Sequence, residues 1–309
     1  MANLDSSGQI DKQAVQLLRK AGALRKFPTP VEDIIAAQEL SVSSPEESPL
    51  ALGMIARAPA ALRAKLGAIT SKVFAVLDRR ERVVHVSPDT NNANHDRFNK
   101  LHEVGHDLCP WQNFAHEIDG KSQLSLGTNV RFEREANYAG ARLLFQGEVF
   151  TEVAQSYDTG MASVLLLAEQ FGSSIHAAFH QYVSTNLDGV AGYILRRSPI
   201  IDPVTGTYHF GIKLALASTK FEQTYIYPEL LTSRLSSDKF PLLESAWRQL
   251  SAGEDLATGE ILTTKLDGTT EIAKFELFSN TYNLFLLINP AQRHFFTRHV
   301  RIVKDVAHV

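Results

Sequence analysis

LHEVGHDLCPW, residues 101–111, decides how the first half of the chain is read. Written as a helix from about Phe98 to Leu108, it sets His102 and His106 one turn apart. Both imidazoles then leave the same face, about 6 Å from one another. Two neutral nitrogens at that spacing can close on one tetrahedral zinc ion. Glu103 is rotated by about 100° from His102, beside the metal rather than on it, where a carboxylate takes a proton from an attacking water.

A catalytic zinc needs a third protein ligand and one position left open. The metzincin continuation HExxHxxGxxH is excluded, because Cys109 and Gln112 stand where its glycine and last histidine belong. The next helix, about Val130 to Phe145, contains RFEREANYAGARLLF, with Phe132, Ala136, Ala139, Gly140 and Leu143 marking a buried face. Glu133, Asn137, Gly140 and Leu144 form the adjoining stripe, and Arg131, Arg134, Glu135, Tyr138 and Arg142 a polar face. Glu133 is therefore expected to point inward and Glu135 outward. A carboxylate on a buried edge is costly unless paired or metal-bound, which favours Glu133 as the third ligand. Asn137, one turn on, is placed to hydrogen-bond a ligand histidine from behind. Small Ala136, Ala139 and Gly140 let this helix pack closely on the motif helix. His116 is a rival ligand or a transition-state donor, and Tyr138 a second candidate donor.

Cys109 is the only cysteine, so no internal disulfide forms. It lies three residues after His106, and Pro110 is expected to end the helix and turn Cys109 out of helical geometry. The thiolate can then curl back as an inhibitory fourth zinc ligand, at about 2.3 Å, displaced by oxidation or movement. The alternative is a small buried apolar residue.

The 309 residues suffice for two or three domains, and a net charge of −3 gives no global attraction to nucleic acid or anionic lipid. No run of eighteen apolar residues and no basic-then-apolar leader appears, so a cytoplasmic protein without membrane partners is expected. Upstream of the motif, two helices over residues 9 to 39 are broken at FPTP, followed by a Ser/Pro-rich loop, SVSSPEESPL, and a further short helix. KVFAVLDRRERVVHVSP then reads as two strands joined by a charged turn at Asp78 to Arg82. Downstream, SVLLLAEQFGSSIHAAFHQYVSTN reads as helix, tight turn at Gly172, helix. From Val190 the chain is β-rich, with a hairpin turn at Asp267-Gly268 and one helix near Leu242 to Leu250.

RFNKLHEVGH followed by FEREANYAGARLLF resembles the ImmA/IrrE family of zinc metallopeptidases, whose pattern is R-x-x-x-x-HExxH and then E-x-E-A-[ND]-x-x-A-x-x-LL. The resemblance extends over roughly residues 10 to 185. It implies Zn2+ on His102, His106 and Glu133, with Glu103 as general base and acid. Asn137 stands where a gluzincin-like aspartate is often found, and Gln146 where a proline is usual. The implied fold is α+β. Residues 1–150 form a mostly helical, gluzincin-like peptidase domain with a small sheet, 151–188 a helix-turn-helix-like segment, and 189–309 a β-rich, GAF-like sensor domain. The implied substrate is a helix-turn-helix transcriptional repressor, cut in response to stress, DNA damage or phage so that defence genes are released.

The helix pair around Gly172 has helix-turn-helix spacing, but its second helix carries no Arg or Lys, which favours a structural or protein-docking role over DNA reading. RHFFTRHVRIVK interleaves Arg293, Arg298 and Arg301 with aromatics, the composition of a single-stranded DNA site or of a solvated edge strand. A single-stranded DNA or small-molecule activator acting through the C-terminal domain follows from these readings. The competing function is a DNA-binding or sensor regulator whose zinc is structural. Such a site is closed by four protein ligands and has no use for Glu103.

Overall fold

The computed structural model describes residues 5–43, 75–86, 93–112, 126–226, 234–280 and 282–290. The further short helix, the polar loop with His116, and the basic segment with Arg293, Arg298 and Arg301 lie outside them. The chain is α+β and divides into two units. One holds Met1–Phe150 and Glu169–Ser174, the other Thr151–Ala168 and Ile175–Val309.

In the first unit, helix α1 (Ser7–Lys20) buries Ile10, Ala14, Leu17 and Leu18, and α2 (Val31–Ala37) buries Val31, Ile34 and Ile35. This spacing of three and four is that of one apolar helix stripe. Three short strands form a sheet in the order β1 (Ser41–Ser43), β3 (Val83–Val86), β2 (Ala75–Asp78). The β2–β3 hairpin turns at the expected charged stretch, where Asp78 Oδ1 accepts the backbone N–H groups of Arg80 and Glu81. β1 corrects the reading of SVSSPEESPL as loop from its first residue, since Ser41 to Ser43 pair in parallel with Val83 to His85.

The motif helix α3 runs over Ala93–Leu108 and the second helix α4 over Leu126–Leu144, each starting several residues earlier than expected. α4 lies along α3 with very little space between them. A Cβ on Gly105 would stand 2.6 Å from the carbonyl oxygen of Ala136, and one on Gly140 would stand 3.1 Å from the amide nitrogen of His102. Asp107 on α3 binds Arg82 at 2.6 Å and accepts from Gln38 Nε2 at 2.7 Å, tying the helix to the β2–β3 hairpin and the end of α2. Arg97 donates to Gly172 O at 3.0 Å and to Thr29 O. Gln146 is buried where the family pattern has proline. Its Oε1 accepts the Arg25 N–H, and its Nε2 donates to Lys26 O and Thr29 Oγ1, so one side chain closes the turn before α2. Phe27 packs edge to face on Phe171 and Phe145 on Phe150, with ring centroids 4.8 and 4.9 Å apart, and Phe150 and Phe171 lie tilted at 5.1 Å.

Helix α5 (Val149–Ala154) is followed by α6 (Met161–Phe171) and α7 (Ile175–Thr185), with Gly172 at φ +65° in the tight turn before α7. The second unit is built on an antiparallel sheet curled into an open half-barrel. Its strands are β4 (Ala191–Arg196), β5 (Ile200–Ile201), β6 (Tyr208–Ala217), β7 (Tyr225–Ile226), β8 (Arg234–Ser236), β9 (Leu256–Lys265), β10 (Thr270–Ser279) and β11 (Asn283–Asn289), with short helix α8 (Thr219–Glu222) and α9 (Pro241–Ser251) between them. They are ordered β5-β6-β4-β11-β10-β9-β7, with β8 on β6. Every residue of the central strand β11 is buried, the apolar run Leu284 to Ile288 and the asparagines at both ends alike. The β9–β10 hairpin turns at Asp267-Gly268, with Gly268 at φ +85°. α7 buries Ala178, Phe179, Tyr182 and Val183, and a Cβ on Gly192 of β4 would meet the Phe179 ring at 2.7 Å. The apolar face of this helix is thus committed to its own sheet, in line with a structural role.

Candidate metal centre

Close packing of α3 on α4 brings three side chains together. His102 Nε2 lies 3.3 Å from Glu133 Oε2, and His106 Nε2 lies 3.5 Å from Glu133 Oε1. The ligand atoms of the three all lie within 4.8 Å of one another. A tetrahedral zinc with bonds of about 2.0–2.1 Å requires donor atoms roughly 3.3–3.4 Å apart. Both histidine–carboxylate distances are near that length, one to each oxygen of Glu133, and two imidazoles with a carboxylate are a donor set that zinc takes. The residues fit the ion. The hydrogen bonds from His102 and then His106 hold the Glu133 carboxyl well below the usual range. Burial opposes the charged form of His106, yet its contacts with Glu133 and Gln112 and the nearby Glu103 charge raise its pKa.

Glu103 is buried beside this trio. Its Oε2 accepts the Leu77 N–H of β2 at 2.9 Å, which fixes the carboxylate from the sheet side. Burial raises its pKa, against the opposing pull of His106, His102 and that N–H. A carboxyl moved upward in this way is closer to the range where it both accepts and returns a proton near neutral pH.

The two carboxylates of α4 are disposed the other way round from the expected facing. The Glu133 side chain is 61% exposed, and that of Glu135 is 3% exposed. Part of the expected polar face of α4, at Glu135, Tyr138 and Arg142, is covered by α1 and by the chain just after α3, while Arg131 and Arg134 stay exposed. Glu135 Oε1 accepts from Ser6 Oγ at 2.8 Å, and Oε2 accepts from Trp111 Nε1 at 2.8 Å and Gln112 Nε2 at 2.9 Å. Glu133 meets both histidines from a solvent-facing edge. Tyr138 lies on the covered face too. Its hydroxyl, whose pKa burial pushes up to about 12, donates to Asp11 of α1 at 2.9 Å, so its one hydrogen is committed there rather than to the metal centre.

Asn137, expected to hydrogen-bond a ligand histidine, is exposed; that contact is made by Gln112, whose Oε1 lies 2.8 Å from His106 Nδ1. Gln112 was weighed only as the residue that rules out a metzincin. The signal that finds it is Pro110. Proline both ends a preceding helix and suits the first position of the next turn: α3 stops at Leu108 with Cys109 outside it, and Pro110 opens a turn that carries Trp111 and Gln112 back over α4. The same turn explains Cys109. It is fully buried, outside the cluster of ligand atoms, and its thiol is pushed up to about 12 by burial first and the Glu135 charge second. An inhibitory thiolate ligand is therefore not found; the small buried apolar reading describes this residue. His116 lies outside the described residues.

No helix among the described residues is long and apolar enough to cross a membrane. No curated protein sequence matches the chain. A solved structure described as a Mycobacterium tuberculosis transcriptional regulator is similar over 93% of this chain and 90% of that one, with a TM-score of 0.48 and 12% identity. Residues 61–181, which contain His102, Glu103, His106 and Glu133, match the sequence model of the Peptidase_M78 family, described as an IrrE N-terminal-like domain.

Proposed function

We propose that the chain is a zinc endopeptidase of narrow specificity whose substrate is a helix-turn-helix transcriptional repressor. The observation that carries this reading is the His102–His106–Glu133 triangle at zinc-ligand spacing, with Glu103 buried beside it and outside the ligand set. His102, His106 and Glu133 would hold Zn2+, which supplies a Lewis acid to polarise the scissile carbonyl and acidify water. Glu103, fixed by the Leu77 N–H, takes the proton of the attacking water and returns it to the departing amine. The exposed edge on which Glu133 lies supports an open, catalytic site over a closed structural one.

In this reading residues 1–150 carry the gluzincin-like chemistry, 151–188 form a helical connection, and 189–309 are a GAF-like sensor. A stress, DNA-damage or phage signal sensed there leads to cleavage of the repressor and release of the genes it silences. The resemblance of the HExxH and ExEAN segments to ImmA/IrrE peptidases supports that substrate class. An apolar cavity of about 230 Å³ in the second unit, lined by Leu235, Phe240, Leu243, Ile261, Phe275 and Leu286, favours a small molecule as the activating signal over single-stranded DNA.

Glu103→Gln tests the assignment. The variant should retain one zinc per chain by elemental analysis, while cleavage of the co-expressed repressor, read by mass spectrometry of its fragments, falls by roughly 10²–10⁴. Processing at the wild-type rate would overturn the enzyme reading and leave the regulator with structural zinc.

A further inference from the structure

Gln112 is fully buried, and its amide has one satisfying orientation. Its Nε2 faces two acceptors, Glu135 Oε2 at 2.9 Å and the carbonyl oxygen of Phe132 at 3.3 Å. A carboxylate and a carbonyl only accept, so both hydrogens of the amide are directed there. With the nitrogen fixed, Gln112 Oε1 is the atom that meets His106 Nδ1 at 2.8 Å, and an amide oxygen can only accept. The reverse orientation would set the Gln112 oxygen against two acceptors, Glu135 Oε2 and the Phe132 carbonyl, in a buried pocket with no hydrogen between them.

We infer that Glu135 is a positioning residue: acting through Gln112, it keeps the hydrogen of neutral His106 on Nδ1 and so leaves Nε2 as the nitrogen whose lone pair is free for a metal ion. The relay runs from a buried carboxylate with three donors, through one amide, to one imidazole. Its effect on metal affinity rests on the zinc reading above, whereas the tautomer does not. Glu135 gains from burial what an exposed carboxylate lacks. Ser6, Trp111 and Gln112 hold it still, so the amide behind His106 has no second arrangement. Groups that orient a ligand histidine from behind typically change metal affinity by about 10- to 100-fold when lost.

The test reads the His106 ring nitrogens by ¹⁵N NMR in the metal-free protein at about pH 9, where the imidazole is neutral, alongside zinc affinity by competition with a chelator. Wild type should show protonated Nδ1. In Gln112→Leu and Glu135→Gln the Nε2–H tautomer should appear, with zinc affinity about 10- to 100-fold lower. Trp111→Phe, which removes another donor to Glu135 without touching the amide, should leave the tautomer unchanged and so separates the relay from general loosening. The double variant Gln112→Glu with Glu135→Gln restores an acceptor behind His106 and should recover the wild-type tautomer if the single variants lose it. An Nδ1–H tautomer that persists in both single variants overturns the inference, as does one lost equally in Trp111→Phe. A tautomer that responds as expected in a protein without measurable zinc affinity would sink the zinc reading and leave the relay standing.

Discussion

Gly105 sits inside the motif, and its replacement by alanine probes how the metal centre is assembled. The added Cβ would stand 2.6 Å from the backbone oxygen of Ala136, about 0.8 Å short of ordinary van der Waals contact, and 3.1 Å from the Ala139 Cβ. Backbone cannot rotate away, so α3 and α4 must separate. Overpacking of this kind costs about 1–3 kcal/mol. Alanine gains about 1 kcal/mol over glycine in a helix interior. Because the clash is with main chain, the steric cost belongs at the upper end, giving a net loss of about 1–2 kcal/mol and a Tm lower by roughly 3–6 °C. The same displacement would stretch the 3.3 and 3.5 Å spacings between Glu133 and the two histidines past the tetrahedral edge, and zinc affinity should fall on the order of tenfold. Gly8→Ala is the control. That glycine lies on α1 with nothing within 4 Å of its Cβ position, so the substitution should be neutral or stabilise by about 0.5 kcal/mol. Thermal unfolding and chelator competition measure both quantities. A Gly105→Ala protein as stable as wild type, with unchanged zinc affinity, would refute the claim that helix proximity builds the site.

Cys109 should resist thiol reagents at about pH 8 until the protein unfolds, since burial pushes its thiol up to about 12. Cys109→Ala should lose about 1–2 kcal/mol without raising basal cleavage, and increased cleavage would revive the inhibitory-ligand idea. Tyr138→Phe should cleave at close to the wild-type rate while losing about 0.5–1.5 kcal/mol of stability with the Asp11 hydrogen bond; a large fall in kcat would return Tyr138 to the catalytic site. In the second unit, burial raises the pKa of Glu276 although the Met161 N–H and Lys274 oppose it. The folded state therefore keeps a proton that the unfolded chain releases near 4.5, and stability is lost as pH rises from there through the folded pKa. Glu276→Gln should flatten that part of the urea-midpoint profile between about pH 4 and 8, and a profile identical to wild type would contradict the sign.

Local signals carried most of what the sequence revealed. The HExxH helix, the β2–β3 hairpin with its Asp78 turn, the Gly172 break and the Asp267-Gly268 hairpin are each written within a dozen residues, and each is where periodicity or turn chemistry placed it. Misreadings came where a polar surface is covered from far along the chain. Arg131, Glu135, Tyr138 and Arg142 form a polar stripe on α4 by any count, but Ser6 and Asp11, more than a hundred residues away, complement it. A polar stripe matched by polar partners reads like a solvated one until the partner is known. β1 escaped for a related reason, because three residues of Ser-Val-Ser become a strand only through parallel pairing with β3. Pro110 ends the motif helix as expected, leaving Cys109 out of helical geometry, and it also opens the next turn, which local sequence does not announce.

The E-x-E pair of α4 then has a physical logic that neither carboxylate has alone. Two residues apart on a helix, the side chains are rotated by about 200°, so they cannot share an environment. Glu133 faces the histidines from an edge that remains open to solvent, where a polypeptide can reach the site. Glu135 is fixed on the opposite side by Ser6, Trp111 and Gln112 and reaches the same centre from behind, through His106. Exchanging their environments would fail on both counts. A carboxylate locked by three donors has few lone pairs left for a metal, and a solvated one cannot hold an amide in a single orientation. In the proposed reading the motif thus supplies one solvent-accessible candidate ligand and one buried support on the same two turns of helix, and burial rather than residue type distinguishes them.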